Sequence, residues 1–157
     1  MELRTPYAVV TSVEDPQPAT KRELVLISRR MEAAAMAQQP QAMAAALQDQ
    51  RYLTARTREV YRRLASTGAA VTLLARGLQS WLEPGVRGVD LDDDDPLVDE
   101  WVVVLPARER PAVLVATDLR QPYAAERDRD FAYALSSDPD VVATCAALLE
   151  RPPGRAR

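Results

Sequence analysis

Two apolar runs lying close together constrain this chain more than any other feature. Trp101-Val102-Val103-Val104-Leu105 and Ala112-Val113-Leu114-Val115-Ala116-Thr117 are dominated by β-branched and aliphatic residues. The polar loop Pro106 to Pro111 joins them. Such runs read as strands, and a six-residue loop suits an antiparallel hairpin. Their apolar character is nearly continuous rather than alternating, so the sheet they belong to is expected to be covered on both faces.

The rest of the chain supplies the covering. Leu24, Ile27, Met31 and Ala35 recur at helical spacing and predict a helix over 22–37, ended by Gln38-Gln39-Pro40. A short alanine-rich helix is expected next, with Met43, Ala46 and Leu47 inward. Thr54 is a candidate N-cap for a helix over 54–66, in which Thr57, Val60, Tyr61 and Leu64 share a face. From Ala70 the period changes to that of a strand over 71–75, with a second short strand at Val86, Val89 and Leu91. Asp138-Pro139 opens a last helix over 139–150, with Val141, Val142, Cys145, Leu148 and Leu149 on one side. Residues 1–21 read as a flexible leader in which Tyr7-Ala8-Val9-Val10 could add an edge strand, 22–150 as the domain, and 151–157 as a disordered tail. The order of elements favours an α+β fold, a mainly antiparallel sheet packed with N-terminal helices and a C-terminal helix. Only five glycines are present, and no Gly-rich phosphate loop argues for a nucleotide-binding alternative.

Composition removes whole classes of chemistry. There is no histidine and one cysteine, Cys145. A Ser-His-Asp or Cys-His site cannot be built, and neither can an imidazole- or thiolate-based zinc site. An intrachain disulfide is impossible. Cys145 on an apolar helix face reads as a buried, inert thiol. The net charge of −3 argues against direct nucleic-acid binding, for which a basic patch is usual. The aspartates 92–95 read as a solvated loop, since they lack the spaced ligands of a calcium loop. No membrane-spanning stretch or signal peptide is legible, so a cytoplasmic protein is expected. A catalytic reading would need a carboxylate pair or an activated nucleophile in a cleft, and acidic residues are too plentiful for their presence to mark one, so the chain is not expected to be an enzyme.

Five residues stand out as a candidate ligand site. Trp101 and Tyr61 offer flat walls with one polar end each, and the competing reading is that both simply fill the core. Glu100 would point to the opposite face from Trp101 and could be exposed. Arg56, near a helix start, could grip a carboxylate or phosphate as a bidentate fork. Asp118 ends a strand, and the charged segment Arg127-Asp128-Arg129-Asp130-Phe131 follows. That segment reads either as a surface helix start or as the source of an Asp118–Arg129 contact that would carry occupancy onward.

The ordered segments resemble the DICT sensory domain family. The stretches that carry the resemblance are Leu24-Val25-Leu26-Ile27-Ser28-Arg29-Arg30-Met31-Glu32, Arg51-Tyr52-Leu53-Thr54 through Tyr61-Arg62-Arg63-Leu64-Ala65, and Leu97 through Leu105 with its Glu100-Trp101 pair. Ala116-Thr117-Asp118, Asp128-Arg129-Asp130-Phe131 and Ser137-Asp138-Pro139-Asp140-Val141-Val142 complete the series. The resemblance implies a signal-input module of the kind fused to diguanylate cyclases, two-component proteins or MerR-like regulators, for which a light response has been proposed. No output domain is legible before residue 22 or after residue 150. A signalling or transcription-regulator partner is therefore expected, or an excised domain. Two classes remain open: binding of a small-molecule ligand of unknown identity, or a protein-interaction module such as a homodimer. A covalent bilin or an imidazole-ligated haem is not expected from a chain without histidine.

Overall fold

A computed structural model describes residues 4–120 and 129–151. It holds four α-helices, α1 (Pro6–Thr11), α2 (Lys21–Gln38), α3 (Ala55–Ser66) and α4 (Pro139–Leu149). The eight strands are β1 (Gln17–Thr20), β2 (Ala42–Asp49), β3 (Ala70–Arg76), β4 (Trp81–Glu83), β5 (Val86–Asp90), β6 (Glu100–Leu105), β7 (Ala112–Asp118) and β8 (Asp130–Ser136). They form one sheet in the order β1-β8-β7-β6-β2-β3-β5-β4. The fold is α+β with a mostly antiparallel sheet. Its exceptions are β2 with β3 and β3 with β5, which run parallel.

The sheet is the middle of three layers, as the near-continuous apolar runs require. Trp101, Val103, Leu105, Leu114 and Ala116 face a core shared with Leu24, Met31, Tyr61 and Leu64 of α2 and α3. Val102, Val104, Val113 and Val115 face a second core with Val9 and Val10 of α1 and Val142, Cys145 and Leu149 of α4. The alternation along β6 and β7 is the period-two rule applied to strands buried on both faces. Cys145 is fully buried, and burial pushes its thiol up to about 11.

The helix starts follow local chemistry. Thr20, Thr54 and Asp138 each accept hydrogen bonds from backbone amides of the first turn, at 3.2 Å from Glu23, 3.2 Å from Thr57 and 2.8 Å from Asp140. These side chains satisfy donors that the helix itself leaves unpaired.

Several expectations are corrected. Tyr7 to Val10 belong to a helix, because Thr5 caps it, Pro6 sits in its first turn, and the consecutive Val9 and Val10 are both buried. Residues 17–20 form the edge strand instead, paired with β8. The alanine-rich segment is a strand between β6 and β3, where burial on both faces overrides alanine's helix preference. Asp130 and Phe131 open β8 rather than a helix. Arg127 and Asp128, and residues 152–157 of the expected tail, lie outside the described residues.

Candidate functional site

Between α2, α3 and the sheet lies a cavity of about 190 Å³. α2 contributes Val25, Ser28, Arg29 and Glu32, and the sheet contributes Leu47, Gln48, Trp101 and Val103. α3 and the turn before it contribute Arg51, Tyr52, Arg56 and Tyr61. The deep wall is Tyr61, Val103, Ser28, Glu32 and Gln48, all buried; Arg29, Arg51 and Arg56 are exposed at the mouth.

A bulge shapes the sheet side. From Ala46 to Asp49, β2 advances three residues while its partner β3 advances two, from Leu74 to Arg76. Gln48 takes the extra place with φ of 70°, in the left-handed region. Leu47 and Gln48, which a regular strand would send to opposite faces, both line the cavity. On β6 the tryptophan packs edge-on against Phe131, with ring centroids 5.8 Å apart and planes at 87°.

Charge is organised in two linked groups. At one wall Arg56 Nη1 lies 3.2 Å from Glu32 Oε1. Burial holds the Glu32 carboxyl above the usual carboxylate range, partly offset by Arg56 and Arg29. Burial, with a smaller push from Glu32, also raises the Tyr61 phenol. At the other wall Arg129 donates to Tyr52 Oη at 2.7 Å, to Gln48 Oε1 at 3.4 Å, and to Asp118. The Tyr52 ring also carries Lys21 and Arg51, each with its charge 4.9 Å from the centroid. Among the described residues two buried polar atoms of the cavity wall, Ser28 Oγ and Trp101 Nε1, have no hydrogen-bond partner.

Four of the five residues singled out in the sequence, Arg56, Tyr61, Trp101 and Arg129, therefore line one cavity. Asp118 does not line it. It bonds Arg129 from behind and faces an adjoining polar groove that shares Gln48, Arg51, Tyr52 and Arg129 with the cavity. Leu64 is core alone. Sequence reasoning missed Ser28, Glu32, Gln48 and Tyr52. Glu32 had a signal: it falls on the apolar stripe of Leu24, Met31 and Ala35, where a carboxylate is out of place. Gln48 had none, because only the bulge turns it inward.

The sequence profile of the family described as a sensory domain in diguanylate cyclases and two-component systems matches residues 5–119. The chain belongs to the DICT family. This DICT domain is a sensory input domain, and the match takes in every cavity residue except Arg129. No curated protein matches the chain. Among solved structures it is similar to polyphosphate kinase from Porphyromonas gingivalis, at 14% identity and TM-score 0.48, over 83% of this chain and 22% of that one. The archaeal chromatin protein TrmBL2 is similar at 15% identity and TM-score 0.47, over 87% of this chain and 51% of that one. The DICT domain thus spans about a fifth and about half of those two chains, and neither likeness bears on function. No helix among the described residues is long and apolar enough to cross a membrane.

Proposed function

We propose that this DICT domain senses a small molecule held between α2, α3 and β6, and passes its occupancy to a signalling or transcription-regulator partner, fused or separate. The domain itself carries no reaction in this reading and works in the cytoplasm. The observation that carries it is the cavity: an apolar wall of Tyr61, Trp101 and Val103 beneath a mouth of arginines. A site with apolar walls and a few convergent polar groups is the usual form of a ligand pocket. Ser28 Oγ and Trp101 Nε1 add support, since a buried polar atom without a partner costs about 1–3 kcal/mol. Relay runs through Tyr52 and Arg129 to Asp118, at the joined ends of β7 and β8. A planar chromophore in the same place would bring the light response proposed for the family.

A second reading, a protein-interaction or dimerisation module without a small ligand, is favoured by Trp81, which is 67% exposed on the edge strand β4. Native mass spectrometry of the chain purified from its own host separates the two. A retained small molecule is expected, absent from Trp101→Ala and Tyr61→Ala, while Tyr61→Phe folds normally and changes affinity alone. A bare monomer or dimer mass, with alanine variants that lose several kcal/mol and no ligand effect on melting, would leave the second reading.

A further inference from the structure

The size and charge of the cavity narrow what it accepts. An engineered protein cavity of about 150 Å³ holds benzene, whereas pockets for drug-sized ligands run from about 300 to 1,000 Å³. At about 190 Å³ this one matches a single ring with a short substituent. Three aromatic side chains, Tyr52, Tyr61 and Trp101, stand around that space. Flat ligands match such walls, because offset and edge-to-face ring contacts add to simple burial.

The lining carries five cationic residues, Lys21, Arg29, Arg51, Arg56 and Arg129, against one acid, Glu32. Some of that charge is already engaged, Arg56 with Glu32 and Arg129 with Asp118. Arg29 on α2 and Arg56 on α3 both line the cavity, and both act on the Glu32 carboxyl. A cation would meet this mouth at a loss, and an uncharged ligand would cover arginines and return less than an anion for their lost hydration. Planar guanidinium forks match a carboxylate in a bidentate way. A doubly charged phosphate fits less well. It would set two negative charges, where a carboxylate sets one, beside a buried carboxyl, and no glycine-rich loop offers it backbone amides.

We infer that the ligand class of this site is a small aromatic carboxylate, its ring against Trp101 and Tyr61 and its carboxylate between Arg29 and Arg56. This rests on the reading of the cavity as the sensory site. The test is a titration of the full chain carrying Trp81→Phe, so that Trp101 alone reports, with benzoate, benzamide and benzylamine. The three share one ring and differ in charge. Benzoate is expected to quench Trp101 saturably and to bind about tenfold more tightly than benzamide, the scale of one charge-assisted pair. That preference should shrink as salt is raised and in Arg29→Gln, an exposed helix position that folding tolerates. Arg56→Gln is made together with Glu32→Gln, since the single change would strand a buried carboxyl. Benzamide or benzylamine binding as tightly as benzoate would overturn the carboxylate assignment and leave the cavity as the sensory site. A benzoate preference that survives both sets of substitutions would also overturn it. Failure of all three probes to bind would overturn the aromatic-carboxylate assignment alone, and the native mass of the purified chain would still decide the sensory reading.

Discussion

Glu100 shows how far a single residue can depart from what its neighbours suggest. Beside an inward tryptophan it should face away and meet water, yet it is 5% exposed. α1 covers it, and the Tyr7 amide donates to its carboxylate at 2.9 Å. Burial raises its pKa first, with smaller pushes from Asp99 and Asp95, while hydrogen bonds from Tyr7 and Thr5 pull it back only in part. Such a carboxyl binds more protons folded than unfolded. The stability it contributes is complete below its unfolded pKa and is lost as pH rises through the raised folded value. Glu100→Gln keeps an oxygen for the Tyr7 amide and removes that loss. Urea midpoints at pH 4 and pH 7 should show the variant gaining on the parent at the higher pH. A parent that gains instead would mean that the ionised carboxylate stabilises α1 more than its burial costs.

At the scale of elements, the β4–β5 hairpin is the most exacting piece of backbone. Gly88 donates its amide to Ser80 O at 2.8 Å, and a Cβ built on it would stand 1.9 Å from Gln79 O. Backbone cannot yield as a side chain can, so Gly88→Ala should cost at least the roughly 1–3 kcal/mol of an overpacked site. Loss of amide protection confined to β4 and β5, read by hydrogen exchange, is the expected signature. An unchanged exchange pattern would mean that the hairpin shifts freely. The elements that sequence pattern reveals are those whose own residues decide them. β6 and β7 announce themselves by unbroken β-branched runs, and α2, α3 and α4 by stripe and cap. β2 was hidden because its alanines prefer a helix and only its place between β3 and β6 makes it extended. β8 was hidden because Arg129 and Asp130 look like surface charges, and only the fold brings Asp118 and Tyr52 to Arg129. For the same reason the cavity was legible in its rings and in Arg56, but not in the bulge that turns Gln48 inward.

Over the whole molecule, the basic mouth is a local exception on an acidic protein of net charge −3. Five cations gathered around one small cavity do not make the extended stripe that follows a phosphate backbone. The chain should show no salt-sensitive affinity for duplex DNA, and a submicromolar gel shift at moderate salt would contradict this. The two ends of the described chain meet in space. β1 pairs with β8 from Gln17↔Tyr133 to Thr20↔Asp130, and α1 lies against α4. Pairings that distant in sequence are slow to form, because the long intervening loop must first be closed. As the ribosome releases the chain, β1 emerges before the other strands and must wait for β8, while α1, which also packs on β6 and β7, must wait for α4. Until then the apolar side of β7 formed by Val113 and Val115 lacks the cover of α4. The interval between synthesis of β7 and arrival of β8 and α4 is when the nascent protein is most exposed to aggregation. A fragment cut at residue 119 would be held in that state permanently.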